Sequence, residues 1–151
     1  MNKRQAITNK VKTLLSAITT TGGYNNNFPT VTIWNNDVSI KNTSLRCNIK
    51  DVGNRFEDDG RKQYLIMEIE VSCVKGSNNY KTVCEMIDDV YKCLYANELL
   101  ISTSYGKVEI FPQGDTIEIE QFEKEMAVGK ITIEFFHTED ARWRYDSTSY
   151  T

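Results

Sequence analysis

The sequence is short of the residues that most chemistry requires. It has a single histidine and two prolines, and its four cysteines, Cys47, Cys73, Cys84 and Cys93, form no CxxC pair. With no histidine beside them in sequence, they indicate neither a zinc site nor a disulfide framework, and read as reduced packing residues. His137 has no serine or cysteine signature near it, which removes a nucleophile elbow or a papain-like pair. GxGxxG and P-loop lysine patterns are absent, and Gly22-Gly23 lacks the flanking strand that a phosphate cradle needs. No catalytic residue, cofactor or metal is expected.

Long apolar runs are missing too. A membrane-spanning helix needs about 18 or more apolar residues, and no segment approaches that length. The N-terminus, MNKRQAITNKVKTLLSAITTTGG, opens with basic residues, but Thr8, Asn9, Lys10 and Lys12 interrupt any secretory apolar region. The expectation is a product made soluble in the cytoplasm, with no membrane partner. Excess positive charge is lacking as well: the formal net charge is -3 and the pI about 5.3, so nonspecific binding to a phosphate backbone is disfavoured.

What remains is an ordinary globular composition, 40% hydrophobic and 26% charged, in a chain of 151 residues that suits one domain. We expect that domain over 1–145, with 146–151 a flexible C-terminal tail. Ile7, Val11, Leu14, Leu15 and Ile18 lie on one helical stripe, predicting a helix from about Lys3 to Thr19 that Gly22 and Gly23 follow. Tyr80, Val83, Cys84, Ile87, Val90, Tyr91 and Leu94 predict a second, from about Asn79 to Asn97.

The other runs alternate with period two. Val31 and Ile33, then Val38 and Ile40 beyond the turn Asn35 to Asp37, read as a small hairpin. Leu45, Cys47 and Ile49 oppose Arg46, Asn48 and Lys50; Leu65, Met67, Ile69, Val71 and Cys73 oppose Glu68 and Glu70. Between these two strands GNRFEDDGRK reads as a hairpin tip of about ten residues, longer than the usual two to five, and long tips often bind. Lys107 to Phe111, Thr116 to Phe122 and Gly129 to Phe136 predict three more strands in a meander, broken by Pro112, Gly114 and Asp115 and by Glu123 to Met126. The fold class is α+β: an antiparallel or mixed β-sheet with two helices packed on one face and a long β-hairpin.

The acid-rich tip superficially suggests calcium, because Glu57 and Asp59 precede Gly60 at suitable offsets. The calcium loop then requires an acid at Arg55 and a glutamate at Ile66, and has neither. In TIEIEQFEKE, Glu118 and Glu120 alternate with Ile117 and Ile119, so they share the face away from the core, where solvent keeps them ionised rather than poised for acid-base work. Glu68, Glu70, Glu118, Glu120 and Glu134 together make an acidic sheet face that two helices leave uncovered. Trp34 reads as a core cap, whereas Trp143, Tyr145 and Tyr150 read as contact residues of the tail.

In order, the N-terminal amphipathic helix, the Asn-rich loop to FPTVTIW, the hairpin ending in YLIMEIEVSCVKGS, the helix NYKTVCEMIDDVYKCLY and the meander TIEIEQFEKEMAVGKITIEFF resemble the phage tail terminator family, also called tail completion or minor tail proteins. The resemblance spans residues 1 to about 145 and rests on element order; no short diagnostic motif carries it. It implies a non-enzymatic virion protein: a homo-oligomeric, usually hexameric ring at the head-proximal end of the tail. Such a ring caps the tail tube, stops its polymerisation and offers a docking surface to a neck or head-completion protein. DNA would pass through the lumen without specific binding, helped by acids that repel phosphate, here Glu68, Glu70, Glu118 and Glu120 at a lumen or subunit seam. Arg55, Glu57, Asp58, Asp59 and Arg61 at the tip, and Trp143 and Tyr145 in the tail, are the candidate assembly contacts. The alternatives are another head-tail connector or baseplate adaptor subunit, or a small acidic α+β enzyme.

Overall fold

The computed structural model describes residues 3–34, 45–74, 78–121 and 125–138. Among these residues three helices, α1 (Lys3–Ser16), α2 (Asn79–Ala96) and α3 (Glu98–Tyr105), accompany five strands: β1 (Thr32–Ile33), β2 (Leu45–Glu57), β3 (Lys62–Cys73), β4 (Val108–Gln121) and β5 (Glu125–Thr138). The strands form one mixed sheet in the order β1-β2-β3-β5-β4. This is the expected α+β class with one helix more. No described helix is long and apolar enough to cross a membrane.

The alternation that predicted β2 and β3 also sets their register. Leu45, Cys47 and Ile49 stand opposite Cys73, Val71 and Ile69, and β3 in turn faces Ala127, Gly129, Ile131, Ile133 and Phe135 of β5. These side chains make the sheet half of the core. Ile7, Val11 and Leu15 of α1, with Ile18 beyond its end, and Val83, Met86, Ile87, Val90, Cys93 and Leu94 of α2 make the other half. Burying each large aliphatic side chain contributes roughly 1.5–3 kcal/mol, so this layer dominates stability. Tyr80, expected in that stripe, is 60% exposed instead. The helix is rotated so that Met86 and Cys93 point inward.

Gly129 explains how close α2 comes. A Cβ there would lie 2.9 Å from both Ile87 Cδ1 and Val83 Cγ1, so the helix rests directly on the backbone of β5. The strands β3 and β4 both run antiparallel to β5 and are therefore parallel to each other. With α2 and α3 between them in the chain, they form a split β-α-β unit with β5 inserted between its strands.

Four expectations need correction, and a fifth, the hairpin after Val31, lies partly outside the described residues. The helix α1 stops at Ser16, because Thr20–Gly22 forms a separate single turn in which Thr19 Oγ1 accepts from Gly22 N–H at 3.2 Å and Gly23, at φ 94°, reverses the chain. The strand β1 pairs in parallel with β2, Thr32 opposite Asn48 and Ile33 opposite Ile49; the second strand of its expected hairpin lies outside the described residues. The ten-residue tip is mostly strand: β2 continues to Glu57 and β3 begins at Lys62, with a register shift between Asp51 and Gly53 absorbing the polar sequence. The first two runs of the expected meander are one strand. Pro112 ends no pairing, because it sits on the outer edge where its missing N–H faces away from β5, and Gln113 bulges out before Gly114 at φ 136°. Finally, α3 was not anticipated.

The tie between α3 and β4 is specific. Ser102 Oγ accepts from Val108 N–H at 3.2 Å and also donates to the Val108 carbonyl, while Glu98 Oε2 accepts from Ile110 N–H at 3.0 Å. These are outward-facing backbone groups of an edge strand, so the helix closes that part of the edge.

Candidate functional site

The helix-free face of the sheet carries most of the residues singled out from sequence. Across β2, β3, β5 and β4 it reads in ranks. Nearest the tip stand Arg55, Tyr64, Phe136 and Glu109, then Gly53, Ile66, Glu134 and Phe111. Next come Lys50, Glu68, Thr132 and Gly114, then Asn48, Glu70, Lys130 and Thr116, and last Arg46, Ser72, Val128 and Glu118. Glu120 follows beside Met126. Thus Glu68, Glu70, Glu118 and Glu120 do share one face, as the alternation predicts. Asn48, Ser72 and Val128 are nevertheless buried there.

The charge on that face is not uniform. Arg46, Lys50, Arg55 and Lys130 interleave with the acids of β2, β3 and β5. Lys50 Nζ lies 3.9 Å from Glu70, and Arg55 Nη2 donates to Glu134 at 2.8 Å. The Glu134 hydrogen bond, followed by the Glu134 and Glu57 charges, raises the Arg55 pKa above its ordinary value. The same guanidinium stacks 4.0 Å above the Tyr64 ring, which tilts against Phe136 with centroids 5.1 Å apart. Among the described residues no ion pair reaches Glu118 or Glu120. Nor does one reach Glu68, so the acids of this face without a paired cation are Glu68 on β3 and Glu118 and Glu120 at the β4 edge, and the expectation of a broadly acidic face narrows to those three residues.

At the hairpin end Arg55 and Glu57 lie at 3.3 Å and are both about half exposed. Asp58 and Asp59 form the turn itself with φ of 52° and 55°, a left-handed backbone that aspartate tolerates better than most residues. Asp58, Asp59 and Arg61 are exposed, so the structure brings together the tip residues predicted as contacts. Trp34 is half exposed with Lys50 Nζ 5.9 Å from its ring, which corrects its reading as a core cap: it stands beside the helix-free face. Trp143, Tyr145 and Tyr150 lie outside the described residues.

Two polar fastenings escaped the sequence reading. Asp89 on α2 is 1% exposed and accepts from the backbone N–H groups of Asn25 and Asn26 at 2.9 and 3.0 Å, and from Asn26 Nδ2. With Lys92 Nζ donating to Gly23 O at 2.7 Å, it fastens the Asn-rich loop to the helix. An aspartate next to Asp88 and one turn after Glu85 looks like solvated surface in sequence, and only the inward turn of α2 distinguishes it. Arg4 similarly clasps Asp51, donating from Nε and Nη2 to its two carboxylate oxygens.

The chemistry available is meagre. His137 is buried on the core face opposite Gln63 and Val108, and burial, assisted by the Lys3 charge, lowers its pKa to about 4. It is a neutral imidazole at neutral pH with no solvent access for proton transfer. Burial pushes the Cys47 thiol up to about 12, far from a thiolate nucleophile. Among the described residues no three His, Cys, Asp or Glu side chains converge on a metal position. The sheet has one face committed to helices and the other patterned with aromatics and charge. The chain matches no protein-family model and no curated protein.

Proposed function

We propose that the protein is a structural tail terminator: a subunit of a ring, most simply a hexamer, that caps a phage or phage-like tail tube and halts its growth. In this reading it has no catalytic role, and its neighbours are other copies, the tube protein and a neck or head-completion protein. The observation that carries the reading is the one-sided architecture. Three helices cover one face of the sheet, while the opposite face and a long hairpin present Arg55, Tyr64, Phe136, Phe111 and the acids of β4. A solitary domain gains little from such a face; a subunit with neighbours on several sides uses it.

Within the ring the hairpin tip contacts the tube or the next copy, and Glu118 and Glu120 line a seam or lumen where excess negative charge keeps passing DNA from adhering. The decisive experiment is cryo-microscopy of intact particles. A layer of this protein at the head-proximal end of the tube is expected, and its absence from particles rejects the reading. The tip contact is tested by D58N/D59N, which removes both charges but keeps residues that tolerate the left-handed turn. Loss of control over tail length is expected; unchanged tails would show that the tip touches nothing.

A further inference from the structure

The edge of the sheet formed by β4 is closed along half its length and open along the other. Ser102 and Glu98 occupy the outward backbone groups of Val108 and Ile110, and Pro112 has no N–H to offer. Beyond the bulge the register with β5 runs unbroken from Gly114 opposite Thr132 to Gln121 opposite Glu125. Because backbone groups alternate sides along a strand, those of Asp115, Ile117, Ile119 and Gln121 face outward, like those of Val108 and Ile110 before the bulge. No described residue pairs with them. This stretch has neither proline nor a covering helix; what guards it is the bulge at Gln113 and its own acids, Asp115, Glu118 and Glu120, which repel an acidic strand and admit a cationic one.

The side chains along that open edge are sorted by face. Glu118 is exposed and Glu120 partly so on the helix-free side, and neither has a charge partner among the described residues. On the helix side lie Ile117 and Ile119, the latter 47% exposed, and Tyr91 of α2 donates to Asp115 at 2.9 Å. A strand added here needs cationic residues alternating with large apolar ones. A second β4 cannot serve, because edge-to-edge pairing would set glutamates against glutamates.

The chain itself contains the complementary pattern. In residues 141–145, ARWRY, Arg142 and Arg144 alternate with Ala141, Trp143 and Tyr145. They cannot reach the open edge of their own copy. Thr138 ends β5 beside the start of β4, and six extended residues from there to Arg144 cover at most about 22 Å. Glu118 lies ten residues along β4 from Val108, about 33 Å away.

We propose that the Asp115–Gln121 edge of β4 is a strand-addition site for residues 141–145 of a neighbouring copy. Arg142 and Arg144 pair with Glu118 and Glu120, and Trp143 and Tyr145 pack over Ile117 and Ile119 beside Tyr91. Main-chain hydrogen bonds supply affinity and the alternating side chains fix register, the logic of β-augmentation. Each copy gives its tail to one neighbour and its edge to another. The contact is heterologous and generates a ring or an open chain. It deepens the terminator reading by naming a subunit seam, yet it would operate in any assembly of this chain.

The test is the mass of the purified full-length protein by analytical ultracentrifugation across concentration and salt. Wild-type protein is expected to self-associate, more weakly at high salt. E118K/E120K and R142E/R144E should each weaken association by about tenfold or more, and the chain carrying all four substitutions should regain the wild-type mass. Wild type that stays monomeric at every concentration overturns the proposal, as does either double variant that associates like wild type. A fourfold variant no better than the doubles does so too. The terminator reading fails differently, by absence of the protein from the tail, so the two failures are distinguishable.

Discussion

The two faces of the sheet are built from alternate residues of the same strands, and they behave as different materials. On the helix side Leu65, Met67, Ile69 and Val71 are fully buried against α1 and α2. One position along in each case, Ile66, Glu68, Glu70 and Ser72 look the other way, among paired charges and aromatic stacks. The helix side is where stability resides, because apolar burial and close packing add up there. The other side is largely free of that duty and can be written for recognition. The comparison teaches that a change of one residue along a strand moves a side chain from the packed core to a charged, partly exposed face.

Neighbouring phenylalanines on β5 give the sharpest way to break this contrast. Phe135 is fully buried and Phe136 half-buried against Tyr64. Phe135→Ala should cost about 3–5 kcal/mol in denaturant unfolding, and Phe136→Ala less than half as much. Equal costs would mean that the helix-free face is a second core.

His137 tests the helix side through pH. Its folded-state pKa of about 4 lies below the ordinary value of 6.5, so at higher pH both folded and unfolded states are neutral and stability is full. As pH falls from 6.5 towards 4 the unfolded state takes up the proton first, and about 3 kcal/mol of stability is lost. Because this is the only histidine, its imidazole signals in NMR titrate unambiguously. A midpoint near 6.5 would show that the site is wet, and the H137Q variant should lose this part of the acid limb.

Gly129→Ala should destabilise by about 1–3 kcal/mol, since the new Cβ meets Val83 and Ile87 at 2.9 Å and α2 must lift from β5. An unchanged melting curve would mean that those side chains yield freely. The smallest effect belongs to the helix-free side: Glu70→Gln, which breaks the 3.9 Å pairing with Lys50, should change monomer stability by less than about 1 kcal/mol. A larger loss would show that ionic contacts there hold the fold.

Much of this arrangement is legible in the sequence because it is local. The stripe Ile7, Val11, Leu15 and Ile18 announces α1, and the alternation around Leu65 and Glu68 announces both the strand and its two faces. The errors arise where a neighbouring element overrides a local signal. Pro112 and Gly114 look like breakers, yet an outer edge tolerates the absent N–H and a bulge tolerates the extra residue. GNRFEDDGRK looks like loop, yet pairing with β3 carries strand almost to the aspartates. Glu98 to Tyr105 lacks a clear helical stripe and is stabilised by what Ser102 and Glu98 do for β4. Asp89 has the composition of a solvated face and is buried because two backbone amides come to it.

The sequence by itself determined which residues are apolar and at what period, and hence the class of fold, two of the helices, and the segregation of Glu68, Glu70, Glu118 and Glu120 from the core. Periodicity acts within a segment, so it can be read without neighbours. Only the tertiary structure decided that β5 enters between β3 and β4, leaving β4 at the edge. It also decided that α3 closes one half of that edge and not the other, and that Lys50 and Arg55 of β2 pair with Glu70 and Glu134 of the acidic face. Those outcomes depend on which segments meet across long stretches of chain, and pairing of that kind is set by packing the whole molecule at once.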